Sequence, residues 1–319
     1  MACRPAADTR YEVNNMAKYL VRRILQIIPV LIIISMIVFL LVNVTGDPTS
    51  TMLPPTASDE ERDVLREALG LNEPLTTQYR IFITNALHGD FGTSYRYRLP
   101  ASELAIQRIP ASVQLAGVSL LFSILIAIPL GILSAQFRNS PFDLIISGIS
   151  ALGRAMPGFW VAIMLILLLA VQHQIFPVSG RGTIMNLILP ALTLSFGTSA
   201  TIIPLIRSNM LDIMHQDYIR TARSKGLRES VVICKHAFKN ALVPVVTIVA
   251  LQIPGLIGGA LITETVFAWP GLGQLLVQSI TNRDMCVVQV CIFLIALITL
   301  VANLIADIVY CLIDPRIKY

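Results

Sequence analysis

The side chains able to do chemistry in this chain are few, and one stretch concentrates them. It reads His215-Gln-Asp-Tyr-Ile-Arg-Thr-Ala-Arg-Ser-Lys-Gly-Leu-Arg-Glu229, with cations at Arg220, Arg223, Lys225 and Arg228. Asp217 can cap a short helix from Tyr218 to Lys225, and Gly226 can end it in a left-handed turn. Eight helical residues measure about 12 Å, and Ala222 and Ser224 leave low relief between the flanking cations. Such an element suits docking into a cleft on another protein. The same charges also suit setting membrane topology or meeting anionic lipid, so composition alone leaves both readings open.

Elsewhere the chemistry is sparse. His88, His173, His215 and His236 are scattered, and Cys3, Cys234, Cys286, Cys291 and Cys311 form no CxxC pair. We expect no metal site and no disulfide framework. There is no HExxH, no GxSxG and no glycine-rich phosphate loop ending in Lys-Ser or Lys-Thr. An enzyme therefore lacks paired catalytic residues here. Arg154 stands out because it lies about ten residues into an apolar stretch, where arginine costs roughly 2.5–3.5 kcal/mol at the bilayer centre. It is either a pore-lining cation, meeting a substrate carboxylate or an acid on a partner, or a residue that snorkels to the interface of a helix starting later.

These residues must be held by membrane helices. The 319-residue chain is 55% hydrophobic and 13% charged, against about 25% charged in soluble domains. A bilayer core about 30 Å thick needs roughly 20 apolar residues per helix. Six stretches qualify: 22–44, 113–137, 144–171, 187–211, 242–264 and 287–313. Net charge is +5, and in a membrane protein this excess reports topology rather than nucleic-acid binding. Lys18, Arg22, Arg23, Arg138, the 207–239 cluster, Arg316 and Lys318 mark one side, which puts both termini in the cytoplasm.

The division of the chain follows. Residues 1–15 are patternless and expected to be a disordered extension, with the first span in 16–44. Residues 45–112 form an extracytoplasmic helical segment, and 113–319 form a five-helix core with a cytoplasmic loop at 212–241. In 45–112, Ser58 and Glu61 have capping-box spacing, Val64, Leu65, Ala68 and Leu69 make an apolar stripe, and Gly70 is a stop. A second helix is expected from Thr76 to Leu87. Gly255 and Gly259, with Gly258 beside them, have the spacing for close helix contact, either as a seam with another subunit or as packing within the chain. Glu264 and Asp307 read as interfacial anchors rather than ligand contacts.

Asp217–Gly226, followed nine residues later by His236-Ala-Phe-Lys-Asn-Ala-Leu-Val-Pro244, resembles the cytoplasmic loop of binding-protein-dependent ABC importer permeases. The likeness is greatest to the peptide/nickel branch, the dipeptide and oligopeptide permeases. Other segments match it in order: Tyr19-Leu-Val-Arg-Arg-Ile-Leu25, Gly46-Asp-Pro48, Leu69-Gly-Leu-Asn-Glu-Pro-Leu75 and Gly89-Asp-Phe-Gly-Thr-Ser94. Pro157-Gly-Phe-Trp160, Glu264-Thr-Val-Phe-Ala-Trp-Pro-Gly-Leu-Gly273 and Asp314-Pro-Arg-Ile317 complete the set. Together they run from Met16 to the C-terminus.

The resemblance implies an all-α integral membrane protein of type I ABC importer architecture, with six transmembrane helices, in a bacterial inner membrane. It implies a second homologous permease, two ABC ATPase subunits and an extracytoplasmic binding protein as partners, besides membrane lipid. ATP and magnesium belong to the ATPases, and no cofactor belongs to this chain. Asp217, Tyr218, Arg220, Thr221, Ala222, Arg223, Ser224, Lys225 and Gly226 fall in the coupling helix, with Thr221–Gly226 as the ATPase contact. Peptides are the expected substrate, with nickel, metal chelates or opines, and glutathione as alternatives. A self-sufficient secondary transporter lacks support, because no internal repeat or set of intramembrane acids is apparent. Arg154 departs from the small or polar residue usual in the family and is expected to tune substrate choice.

Overall fold

The computed structural model describes residues 6–45, 53, 56–68 and 70–313. Gly46-Asp-Pro48, Leu69 and Asp314–Ile317, used above, lie outside them. Helix α1 spans Ala6–Thr45. Residues 6–15 are thus helical and continuous with the first span, not the disordered extension expected. No glycine or proline precedes Pro29 in this helix, so nothing in the backbone stops it. Its apolar side chains from Val21 to Ile33 are mostly exposed, as a lipid-facing helix requires. Ser35, Val38 and Phe39 are buried.

Two short helices follow. In α2 (Asp59–Ala68), Glu61 N donates to Ser58 Oγ at 3.2 Å and Ser58 N donates to Glu61 Oε2 at 3.0 Å. This reciprocal pair is the capping box. Gly70, at φ +66°, ends the segment. In the expected stripe Val64 is 69% exposed and Leu65 is partly buried. Helix α3 spans Leu75–Leu87, with Pro74 at its N-cap. Phe39, Tyr79, Phe82, Phe91 and Phe293 form a run of ring contacts with centroids 5.4–6.5 Å apart, tying this cap to the bundle.

The remaining elements are α4 (Ala101–Ile106), α5 (Ile109–Gln136), α6 (Pro141–Ala155), α7 (Gly158–Leu165, prolonged by a π-helical turn, Ile166–Gln172) and α8 (Ile184–Met214). Next come α9 (Asp217–Ser224), α10 (Glu229–Val231, followed by a second π-helical turn, Val232–Ala237), α11 (Phe238–Ala250), α12 (Ile253–Val266), α13 (Leu272–Thr281) and α14 (Met285–Ile313). Among the described residues no strand occurs. Five helices or helix pairs among the described residues are long and apolar enough to cross a membrane. The sixth candidate, the third stretch of the sequence, is not a straight span: α6 and α7 meet at 111°. The bend falls at Met156-Pro157, where proline disfavours helix in the residue before it. The expected fifth span is one of the five, Pro244–Val266, although the helix breaks briefly between α11 and α12, with Pro254 in the first turn of α12.

Helices α5 and α8 form the central pair. Ser119, Ser123, Ser195 and Ser199 are buried between them, and Ser123 and Ser199 each donate across the seam to a carbonyl at 3.4 Å. An added Cβ on Gly131 would collide with Ile206. Small residues let membrane helices approach closely where apolar burial against lipid offers no drive.

Candidate functional site

Helix α9 covers Asp217–Ser224, one residue ahead of the Tyr218–Lys225 expected. The N-cap is Gln216, without a side-chain cap bond, so Asp217 is not the cap. It sits in the first turn, where its carboxylate meets the N-terminal end of the helix dipole. Gly226 has φ +72°, the left-handed stop that its position requires. Ala222 is not part of the outer relief. With Ile219, three residues earlier on the same face, it is buried against Met210, Val232 and Ile233. The outer face consists of Asp217, Tyr218, Arg220, Thr221, Arg223, Ser224, Lys225 and Gly226. Arg223 is tied back to Glu229, donating from Nε at 3.2 Å and Nη2 at 2.6 Å. That paired carboxylate holds the guanidinium above its ordinary range. Tyr218 Oη accepts from Asn240 Nδ2 at 3.2 Å. The short helix is thus seated on apolar contacts and pinned at both flanks. Ala222→Leu would overpack this seat at about 1–3 kcal/mol, and we expect less ATPase to co-purify with the variant while its membrane yield stays normal.

One turn of chain joins α9 to α8, and α8 is locked to α6. Arg207 donates to both oxygens of Asp143, from Nε at 2.8 Å and Nη2 at 2.7 Å. Asp143 is 3% exposed and also accepts from Ser134 Oγ at 2.5 Å and Asn139 N at 2.9 Å. Neither residue was a sequence candidate. They stand 64 positions apart, and a single sequence carries no signal of such pairing.

The other end of α6 carries Arg154, in its last turn before the bend. Arg154 therefore ends an amphipathic helix at an elbow and does not sit inside a continuous span. It lines a cavity of about 530 Å³. Gly158 and Phe159 of α7, Gly197 and Thr201 of α8, and Gly255 and Gly259 of α12 share that cavity. At Gly255 and Gly258 an added Cβ would meet nothing within 4 Å, and at Gly259 only Leu194 Cδ2 at 3.3 Å. Gly255 and Gly258 are not needed for tight packing inside this chain, whereas a side chain at Gly259 would need Leu194 to give way. On its other side α12 borders a second hollow of about 480 Å³ with α5 and α14. Its walls are mostly aliphatic, with Ser112 and Glu264, bonded to each other, among them.

Glu264 and Asp307 have structural partners. Glu264 is 1% exposed and accepts from Ser112 Oγ at 2.6 Å, Gly273 N at 2.7 Å and Gln274 N at 3.2 Å. It is a buried anchor at the N-terminus of α13 and not an interfacial one. An added Cβ on Gly271 would fall on its carboxylate, which explains the glycine there. Asp307 pairs with Arg23 Nε at 3.2 Å, joining the last helix to the first. Among the described residues no cluster of three metal-ligating side chains occurs.

This arrangement has known counterparts. A chain of the MetNI methionine ABC transporter, solved in inward-facing form, aligns with a TM-score of 0.55 at 19% identity, over 66% of this chain and 96% of that one. The fold is that of a type I ABC importer permease. A family model described as "Binding-protein-dependent transport system inner membrane component" matches residues 127–319, and one for the N-terminal part of such components matches residues 16–116. The chain belongs to this family. Curated relatives include the oligopeptide transport system permease protein AppB of Bacillus subtilis, 42% identical over 95% of this chain and 100% of the relative. The dipeptide permease DppB of Escherichia coli K12 is 36% identical, over 95% of this chain and 99% of its own length. The glutathione permease GsiC of the same strain is 37% identical, over 95% and 100%. This chain is accordingly a multi-pass transporter subunit that works with an ATPase and a substrate-binding protein.

Proposed function

We propose that the chain is one of two permease subunits of an ATP-driven peptide importer, paired with a homologous permease and two ATPases. An extracytoplasmic binding protein delivers the substrate. ATP and its magnesium ion are held and hydrolysed by the ATPases, and both termini face the cytoplasm. The observation that carries this reading is α9: a pinned, basic, eight-residue helix whose outer face lies exposed. Its seat on α8 and the Arg207–Asp143 strap give a closing ATPase a mechanical route to α6 and the Arg154 elbow. Arg154 and the open faces of Gly255 and Gly258, with Gly259 beside them, border the translocation path and the seam with the second permease. Peptide as cargo is supported by the relatives, two of which carry peptide or dipeptide in their names. The glutathione relative favours a small modified peptide as second choice.

The test is uptake of labelled peptide into proteoliposomes holding both permeases and both ATPases, with binding protein outside. Uptake should require ATP and every component. Transport by this chain alone without ATP would contradict the proposal.

A further inference from the structure

We infer that the cavity at the Arg154 elbow recognises the free carboxylate end of the travelling peptide. This rests on the peptide reading above. Arg154 contributes a permanent positive charge, because guanidinium stays protonated in proteins. Its planar fork matches a carboxylate two hydrogen bonds at a time. Within the chain its bond is a long one, Nε to Ser150 O at 3.4 Å, which leaves the two terminal amino groups of the fork to a ligand. No Asp or Glu lines the cavity, so the charge is not neutralised locally.

The remaining walls bear on selectivity. Thr198 and Thr201 line the cavity and donate their hydroxyl hydrogens to Leu194 O and Gly197 O in their own helix, at 3.0 and 3.1 Å. Their oxygens keep lone pairs that accept N–H groups from a peptide backbone or ammonium. At Gly158, Gly197 and Gly255 an added Cβ meets nothing within 4 Å. Phe159, Phe196, Leu256 and Ile262 are among the apolar side chains of the lining, and Arg154 is its one charged residue. The cavity thus offers what the end of every linear peptide can use, a cation for the carboxylate and hydroxyl oxygens for amide hydrogens.

The experiment compares trialanine with its C-terminal amide in the reconstituted complex, each rate corrected for the affinity of the binding protein. The unmodified complex should carry the acid at least tenfold faster, a factor equal to about 1.4 kcal/mol. Arg154→Gln should slow the acid to the rate of the amide, and Arg154→Lys should keep part of the preference. Equal slowing of acid and amide by Arg154→Gln, or no preference in the unmodified complex, overturns this inference while peptide import stands. An intact complex that carries neither peptide overturns the peptide reading and this inference with it.

Discussion

Gly226→Val is expected to cut uptake at least tenfold while the complex still assembles. Gly226 ends α9 at φ +72°, where a β-carbon costs roughly 1–2 kcal/mol and a β-branched residue is a worse fit. Its added Cβ would find open space within the chain, so the penalty is backbone strain and not a clash. A fold stabilised by about 5–15 kcal/mol withstands that. The chain relieves the strain by moving the turn, and the turn leads directly to Glu229, the carboxylate that pins Arg223. The outer face of α9 is therefore rotated or loosened where it must be rigid. We expect normal membrane yield, retained ATPase and at least a tenfold loss of uptake, with ATP hydrolysis no longer responding to the loaded binding protein. Gly226→Asn, a residue that tolerates the left-handed region, should keep most of the uptake. Normal uptake by the valine variant would show that the turn is not part of the coupling route.

Asp143→Ala has the larger effect on stability. Asp143 accepts four hydrogen bonds, two of them from Arg207, and its removal leaves a half-buried guanidinium without its carboxylate. Breaking a buried pair by removing one partner costs about 3–5 kcal/mol. Arg207 retains 27% side-chain exposure, which places the cost at the lower end, about 3 kcal/mol. The purified complex should show a clearly lower thermal midpoint and a severalfold lower yield. Asp143→Leu combined with Arg207→Met should recover much of that stability, since replacing both charges by apolar groups is often neutral. If the strap also transmits force, the double variant will be stable yet slow in transport. A stable Asp143→Ala complex with normal uptake would remove the strap from both roles.

Much of the fold was legible because membrane helices are set by length and hydropathy alone. The second, fourth and sixth stretches predicted from sequence coincide closely with α5, α8 and α14. The Ser58–Glu61 box was legible because both partners lie within one turn. The elbow was not, since residues 144–171 read as one apolar run and hydropathy carries no angle; Pro157 was the local sign of a break. Ile219 and Ala222 are three residues apart, and that spacing signals a buried face on a short amphipathic helix. Low relief near Ser224 drew Ala222 into the outer surface instead. The Glu264 anchor could not be read, because it depends on residues 271–274 folding back against α12. The Asp143–Arg207 strap depends on α6 and α8 packing side by side, which only the assembled bundle defines.

The central claim is that the outer face of α9 docks on an ATPase. In a complex whose native cysteines are replaced, cysteines introduced at Thr221 or Ser224, both exposed, should cross-link to the ATPase with a short bifunctional maleimide. A cysteine placed at the buried Ala222 should not. Efficient cross-linking at the two exposed positions alone is the result expected. Absence of any cross-link from Thr221 and Ser224 in a complex that still imports peptide would contradict the account.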